Sequence, residues 1–424
     1  MNKRRCDVAV IGSGPGGLAA AIAAKKNGAE DVVIIERDFE PGGILVQCIH
    51  NGFGVEIFQE DLPGPSYAQR FIEEARGLGV EMMLDTMVLE AEPNRRLFTT
   101  SKGGGIQEIE VGAVVLAMGC RERTRAQIRL PGTRPAGVYT AGTAQRWVNV
   151  EGFMPGKRFV ILGSGDIGMI MARRLTFEGA KVERVLEILP HISGLMRNYV
   201  QCLQDFDIPL QLQHTVTRIL GRDRVEAVET AAVDENWRVV PGSQEVIPCD
   251  TLLLSVGLIP ENELSRQSGV KIDAVTGGPI VDDTFQTNVP GYFAAGNVVH
   301  VYDLVDWVTE AGFRAGKSAA DYALGKRGKP GHMTAVRAGE NVRYAVPHRI
   351  DPSSLAMEEI PIQMRVIRPI EAPIMIEALV NESVIARRGQ QYARPGEMVT
   401  LPLKPDLTDA LQKADTITVR VRQQ

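Results

Sequence analysis

Apolar and polar positions fall into two kinds of block along this chain. From residue 7 a short apolar run, DVAVI, breaks into the turn GSGPGG. It then passes into the alanine-rich LAAAIAAKK and, after Gly28, returns to an apolar run, 32-VVIIE-36. That order predicts strand, tight turn, helix and strand. The same order returns at 158-RFVILGSGDIGMIMARRLTFEGAKVERVLEI-188. Two more apolar runs, 111-VGAVVLAMG-119 and 251-TLLLSVGLIP-260, predict strands that run into a glycine. Residues 195–210 predict a helix and a strand entry, with Cys202 in the core, and 303-DLVDWVTEAGFRAGKSAADYAL-324 predicts a long helix. After a glycine- and lysine-rich linker, 325-GKRGKPG-331, the second kind of block begins. Short β-prone pieces at 343–347, 363–370, 373–379, 383–389, 396–403 and 415–421 are split by Pro, Gly or Asn, which predicts a small β-sandwich.

The glycine spacing gives the first kind of block a chemistry. Gly12, Gly14 and Gly17 form G-x-G-x-x-G between strand and helix, and Glu36 lies 22 residues after Gly14. In such a unit the first glycine permits the tight turn and the second lets a pyrophosphate approach the backbone. The third lets helix and strand pack closely, and the acid accepts from a ribose diol. The helix N-terminus favours the phosphate charge. Gly163, Gly165, Gly168, Gly179 and Glu187 stand 151 positions after Gly12, Gly14, Gly17, Gly28 and Glu36. Five matches at one offset predict two dinucleotide-binding units. A carboxylate at Glu187 suits the free 2′-hydroxyl of NAD and repels the 2′-phosphate of NADP. The run 188-ILPHIS-193 holds no arginine for that phosphate, although His191 leaves a phosphate contact open. NAD is therefore favoured over NADP.

Composition narrows the rest. The chain has 424 residues, 44% apolar and 23% charged, which predicts an ordinary globular protein of two to four domains. A net charge of −5 gives no reason to expect nucleic acid or an anionic membrane as partner. Cys6, Cys48, Cys120, Cys202 and Cys249 form no C-x-x-C and no metal-ligand spacing, so no metal is expected and a reducing cytoplasm is. The basic MNKRRC before an apolar run resembles a signal peptide superficially. Four glycines and a proline in the next turn favour the dinucleotide explanation instead. No run approaches the roughly 18 apolar residues of a membrane span. Residues 121-RERTRAQIR-129 concentrate four arginines, either as a dock for an anionic substrate or partner or as a solvated hinge with Arg–Glu pairs.

On these residues the chain resembles the flavoprotein superfamily with two dinucleotide-binding domains, the pyridine nucleotide-disulfide oxidoreductases, which includes thioredoxin reductase and dihydrolipoamide dehydrogenase. The run 287-TNVPGYFAAGNV-298 resembles its second FAD fingerprint, T-x-x-P-G-hydrophobic-aromatic-A-x-G-D. The family aspartate holds the ribityl chain; here Asn297 replaces it, able both to accept and to donate. The runs 42-GGILVQCIHNGFG-54, 119-GCRERTR-125, 131-PGTRPAGVYTAGTAQRWVN-149 and 162-LGSGDIGMIMARRLTFEGAKV-182 are similar to bacterial FAD/NAD-dependent oxidoreductases. Those are encoded beside a glycerol-3-phosphate-dehydrogenase-like flavoprotein and a small cysteine-containing protein. Related subunits occur in multi-component amine, opine and cyanide-forming dehydrogenases.

The resemblance covers about residues 5–328 and implies an α/β fold of two Rossmann-like domains. An FAD domain, 1–122 and 259–328, is split by an inserted NAD domain, 123–258, and followed by a β-sandwich-like domain, 332–424. FAD is implied to meet Gly12, Gly14, Pro15, Gly16, Gly17, Glu36, Arg37, Gly43, Ile44, Asn51, Gly119, Gly296, Asn297, Trp307 and Val308. NAD(H) is implied to meet Gly163, Gly165, Asp166, Ile167, Gly168, Glu187 and Gly257. The N-terminal end of the 303–324 helix is implied to point at the flavin, where its dipole favours negative charge on the reduced ring; the Trp307 side chain is expected in the core.

Both positions where this superfamily carries a redox dithiol lack it. Counted from Gly42-Gly43, the C-x4-C positions are Leu45 and His50; the C-x-x-C positions fall in Ala141-Gly142-Thr143-Ala144. An internal thiol relay needs two sulfurs in reach. Cys48 alone has two readings: a flavin-adjacent thiolate with His50 lowering its pKa, or packing beside the flavin. An extended stretch would put the two side chains on one face. Cys120, beside the first nucleotide-return strand, has a chemical and a packing reading, and His50 is also a candidate proton donor or substrate-positioning group. The expected activity is hydride transfer between NAD(H) and FAD. Electrons are then exchanged with a partner flavoprotein or an iron–sulfur or thiol subunit, docked through the C-terminal domain. The alternatives are a single-cysteine disulfide or peroxide reductase through Cys48, and an FAD-bearing assembly subunit without productive NAD binding.

Overall fold

A computed structural model describes residues 2–326 and 331–424, so the linker positions 327–330, with the domain edge placed at 328, lie outside the described residues. Along the chain run helices α1 (Pro15–Lys26), α2 (Gly64–Gly77), α3 (Ala141–Arg146), α4 (Asp166–Phe177), α5 (Met196–Cys202), α6 (Glu263–Gln267) and α7 (Val305–Ala323). The chain divides into two compact units. One comprises the residues up to Cys120 together with Pro260–Gln424; the other is Arg121–Ile259.

The first unit is built on β1 (Asn2–Ile11), β2 (Val32–Ile35), β3 (Glu81–Met83), β4 (Thr86–Ala91), β5 (Arg96–Ser101) and β6 (Gly105–Leu116). They lie in the order β3-β2-β1-β6-β5-β4, with Tyr292–Ala294 also paired to β6. β3, β2, β1 and β6 are parallel, and β5 and β4 return antiparallel. The parallel strands are apolar on both faces and fully covered (Val8, Val10, Val33, Ile34, Val114 and Val115 are each 0% exposed), as a sheet with helices on both sides requires. α1 starts with Pro15 at its first turn and ends with Lys25 and Lys26, placed as the peptide dipole prefers. Gly28 then turns the chain at φ 96°.

α1 packs directly on α7. A Cβ on Gly312 would fall 2.3 Å from the Gly16 carbonyl oxygen, and one on Gly316 would fall 2.0 Å from that of Ala20. Only glycine allows this approach, so the first turns of α1 are held against the middle of α7, a helix far away in sequence. Val308 marks the junction: its side chain would meet a Cβ on Gly16 at 3.3 Å and one on Gly296 at 3.0 Å.

The second unit repeats the plan. Its parallel sheet has the order Leu210–Leu212, Lys181–Glu187, Arg158–Leu162, Thr251–Leu254, Val138–Thr140, and an antiparallel sheet of His214–Leu220, Ala227–Ala232 and Glu245–Pro248 accompanies it. α5 stops at Cys202, which is buried as expected.

The C-terminal residues form two sheets around one apolar core. Val342–Val346, Ile360–Val366 and Val399–Leu403 make the smaller. The larger runs Arg349–Ile350, Thr334–Ala338, Thr416–Gln423, Ile374–Val380, Ser383–Gln390. Burial alternates along Ile360–Val366 and Thr416–Gln423, and their inward residues share a core with Ile376, Leu401 and Leu403. The six expected strands are present; Thr334–Ala338 and Arg349–Ile350 are additional. Arg349–Ile350 is too short to carry an alternation, and burial along Thr334–Ala338 does not alternate.

Candidate functional site

Between β1 and α1 the turn is braced by a carboxylate. Glu36 Oε2 accepts from the Ser13 backbone N–H (2.8 Å) and from the Ser13 hydroxyl (2.7 Å). Glu36 Oε1 accepts from the Asp38 N–H (2.9 Å). Glu36 is buried, so these bonds hold a charged group that would otherwise be costly to bury. Gly12 and Gly17 act by close contact. A Cβ on Gly12 would lie 2.5 Å from the Ala117 oxygen, and one on Gly17 only 1.9 Å from the Gly12 oxygen. Gly14 differs, because a Cβ there would meet nothing within 4 Å. No side chain caps α1 and no acid stands in its first turn. Unfilled helix N–H groups beside open space are what a pyrophosphate needs, so these residues fit an FAD diphosphate.

The second turn repeats the bonding atom for atom. Glu187 Oε2 accepts from the Ser164 N–H (2.9 Å) and the Ser164 hydroxyl (2.6 Å), and Oε1 from the Leu189 N–H (3.1 Å). The next segment repeats too: Gly42 N–H donates to the Ser13 oxygen, and Gly194 N–H to that of Ser164. Three differences separate the turns, the first being that the Ser193 hydroxyl also donates to Glu187 Oε2 (2.8 Å), where the first turn has Gly42. A Cβ on Gly165 would meet Ser255 Oγ at 3.1 Å, where Gly14 has open space. α4 also carries Asp166 in its first turn. One oxygen of that carboxylate accepts from the Leu195 N–H (2.8 Å) and from Asn198 Nδ2 (2.6 Å), tying the following loop to the helix start. Ile167 follows Asp166 in the same turn, and Gly257 is exposed beside the Arg123 side chain. His191 is held by its own loop, with Nδ1 3.0 Å from the Ile192 oxygen.

Residues 43–58 lie against the start of α7. Gly43–Gln47 is a 3₁₀ turn, not an extended stretch. The shared-face argument for Cys48 and His50 therefore does not apply: Gly42 at φ 118° turns the chain into this coil. Cys48 is buried, its thiol donates to the Ile44 oxygen (3.3 Å), and its own carbonyl accepts from Gly64 N–H at the head of α2 (2.8 Å). His50 Nδ1 lies 2.8 Å from the Asn51 oxygen and its ring 5.0 Å from that of Phe53. Asn51 is exposed and donates to the Asp61 oxygen (3.4 Å). Ile44 and Arg37 are exposed as well. The loop is anchored by Asp306, whose carboxylate accepts from the Gly54 and Ile57 N–H groups at 3.2 and 3.3 Å. Trp307 is half-buried rather than core: its indole donates to Glu56 (2.8 Å) on the same loop. Beneath, the hydroxyls of Tyr67 and Thr309 are 2.8 Å apart.

Asn297 uses both ends of its amide. The oxygen accepts from the Tyr302 N–H (3.1 Å), and the nitrogen donates to the Cys120 sulfur (3.7 Å). An aspartate would lack that donor. At the other dithiol position, α3 begins with Ala141 and its Gly142 N–H donates to both oxygens of Glu122 at 2.9 Å. Burial raises the Glu122 pKa, while Thr140 and the helix N–H groups oppose it. A carboxylate thus caps the helix start that a dithiol would otherwise use. All five cysteines are free. Burial pushes Cys6 and Cys249 up to about 12 and Cys202 to about 11, which makes them poor nucleophiles. In the arginine run, Arg125 is spent on carbonyls, donating to Leu130 (3.1 Å) and Gly132 (3.1 Å).

Pattern reading missed Ser13, Ser164, Asp306 and Glu56. The serines had a signal, since G-S-G occurs in both turns at the same offset. The other two had none.

The family described as "Pyridine nucleotide-disulphide oxidoreductase" matches residues 6–320. The chain is 26% identical over 312 residues to an opine oxidase component of Agrobacterium tumefaciens, covering 69% of this chain and 61% of that protein. It is 29% identical over 346 residues to the glutamate synthase [NADPH] small chain of Escherichia coli, covering 74% and 67%. It thus spans about two thirds of the length of these relatives, whose names make them parts of larger enzymes. Among solved structures, thioredoxin reductase from T. acidophilum aligns with TM-score 0.63 at 22% identity, covering 76% of this chain and 99% of that one, which bears on the fold alone. Among the described residues no helix is long and apolar enough to cross a membrane.

Proposed function

The chain belongs to the pyridine nucleotide-disulphide oxidoreductase family, whose members use FAD and a nicotinamide cofactor, and from that premise we propose a component that moves electrons between NAD(H) and a partner protein through FAD. Bound FAD would supply the hydride acceptor and electron carrier of this reaction. The chain's residues bind and orient. Gly12, Gly14, Gly17 and Glu36 hold the adenosine diphosphate end, with Gly43, Gly119, Gly296 and Asn297 along the cofactor. The start of α7 at Trp307 and Val308 would favour negative charge on the flavin through its helix dipole. Gly163, Gly165, Gly168 and Glu187 hold the NAD(H) diphosphate and ribose, and Glu187 disfavours a 2′-phosphate. The glutamate synthase relative takes NADPH by its name, so this preference is a property proposed for this chain.

One observation carries the reading: the same carboxylate-braced glycine turn is built twice, and the first stands open beside the start of a second helix. The partner is proposed from the absence of an internal relay. Cys48 is buried on a backbone carbonyl, and Glu122 caps the other dithiol position, so electrons have no thiol pair to visit. A partner flavoprotein, iron–sulfur or thiol subunit of a multi-component dehydrogenase, docked on the C-terminal sandwich in the cytoplasm, takes that role.

The test is anaerobic. The purified chain should be yellow, and NADH should bleach it at least tenfold faster than NADPH at equal concentration. A yellow protein that neither nucleotide bleaches would overturn the NAD(H) half of the reading; a colourless protein that takes up no FAD would overturn all of it.

A further inference from the structure

The segment from Asn297 to Asp303 joins the Gly296 turn to α7, and it is gripped from the C-terminal sandwich. At its start the Asn297 side chain is bonded to Tyr302 N–H (3.1 Å). At its end Asp303 stands one residue before Leu304, which caps α7. Arg365, on the strand Ile360–Val366, pairs with the Asp303 carboxylate and donates to the Val301 oxygen (3.1 Å) and the Pro395 oxygen (3.2 Å). The other Asp303 oxygen accepts from Met398 N–H, also in the sandwich. The Arg365 side chain is 14% exposed and that of Asp303 8%. A third contact reaches the same segment: Tyr344 Oη lies 3.5 Å from His300 Nδ1.

The segment does not satisfy itself. Among the described residues, His300 Nε2 and Tyr302 Oη are buried without a hydrogen-bond partner, with the two rings 4.2 Å apart. Any conformation that exposed them to water would satisfy both atoms, so the observed one is held from outside. Arg365 supplies the positive charge against the Asp303 carboxylate. Removing one partner of a buried ion pair leaves an uncompensated charge, and the chain moves to hydrate it.

We propose that Arg365 is a positioning residue for the flavin site: reaching from the sandwich, it fixes Asn297–Asp303 and with it the Asn297 amide and the start of α7. The proposal rests on the reading that FAD binds there. It gives the sandwich a second role besides docking, because the site is incomplete without a residue of the chain's last domain. Arg365 acts through the segment, on the Asp303 carboxylate and the Val301 carbonyl.

The experiment measures FAD affinity on the full-length chain, stripped of flavin and titrated with FAD by fluorescence quenching, and records the visible circular dichroism of the bound flavin. Arg365→Gln should weaken FAD at least tenfold and alter the dichroism. Arg365→Lys, which keeps the charge but reaches fewer acceptors, should weaken it about threefold. Ile376→Val, in the sandwich core on the sheet that does not carry Arg365, should leave FAD binding unchanged. Unchanged affinity in Arg365→Gln sinks the proposal, and so does equal weakening by Ile376→Val, which would mean general loosening. If Arg365→Gln is not recovered folded, Arg365→Lys decides alone: wild-type affinity and dichroism overturn the proposal. An unsubstituted chain that binds no FAD fails at an earlier step and overturns the functional reading together with this inference.

Discussion

Ser13 with Glu36 and Ser164 with Glu187 make the same bonds 151 residues apart, yet the two turns do not offer a ligand the same thing. The shared part is internal: a carboxylate satisfied by the serine and by the backbone two residues on. It sets the turn. The differing part lies around the second glycine and the helix start. The first turn presents open space at Gly14, an uncapped helix without an acid, and a second helix start at Val308. The second presents a hydroxyl at Ser255 and a carboxylate at Asp166. The fingerprint residues specify the scaffold, and on the proposed reading their neighbours, Ser255 and Asp166 against open space, set how tightly a dinucleotide is held. A cofactor that stays suits the first turn, and one that comes and goes suits the second.

The sharpest way to break this comparison is to fill the glycines. Gly17→Ala should cost about 4 kcal/mol or more, because its methyl has no space against the Gly12 carbonyl, and should be seen as loss of folding of the first unit. Gly14→Ala should cost little stability, about 1 kcal/mol or less, while flavin absorbance of the purified protein falls. If Gly14→Ala keeps its flavin, the open space is not a cofactor site.

Acid should separate the two units next. Burial, with Arg365 and His348 nearby, holds His300 down to about 3. The unfolded chain binds that proton near pH 6.5 and the folded one does not, so this stability is present above pH 6.5 and lost as pH falls towards about 3. The shift is worth roughly 5 kcal/mol. Asp283 opposes it. Burial and Asp282 push it up to about 6, so its contribution is present below its ordinary 3.8 and lost as pH rises through about 6, worth roughly 3 kcal/mol. Between pH 7 and 4 these two groups of the first unit leave a net loss of about 1 kcal/mol or less, roughly 3 lost from His300 against somewhat less regained from Asp283. Denaturant titrations between pH 7 and 4 should show it, and His300→Asn should flatten the slope. An identical slope in that variant would contradict the assignment.

A finer comparison removes the braces themselves. Ser13→Ala and Ser164→Ala should each cost about 1–2 kcal/mol, and nearly the same amount. A second turn indifferent to its serine would show that the repeat is only geometric. The smallest effect separates the differing parts: Asp166→Asn should cost about 0.5 kcal/mol, since an acid in the first turn favours the helix dipole. NADH affinity should rise slightly in a direct titration, because a charge near the phosphates is gone.

Much of this plan was legible in the chain. Periodicity located both glycine turns, the long helix and six sandwich strands, because each is a local pattern. The bonds that assemble the site were not legible. Asp306 meets Gly54 across 252 positions and Arg365 meets Asp303 across 62, and no local pattern marks either. Cys48 shows the opposite failure. Its neighbours invited an extended reading, while Gly42 in a left-handed turn winds them into a coil. Trp307 looked like core because it is large and apolar, but its indole N–H sought Glu56.

The seam where Gly312 and Gly316 press on α1 also orders events on the ribosome. Arg121–Ile259 is one uninterrupted stretch and can complete its sheets as soon as it emerges. The first unit, although its opening strand is made first, must wait some 290 residues for the helix that closes it. During that interval the alanine face of α1 stands open to water, which makes it the surface a chaperone would meet in this nascent chain.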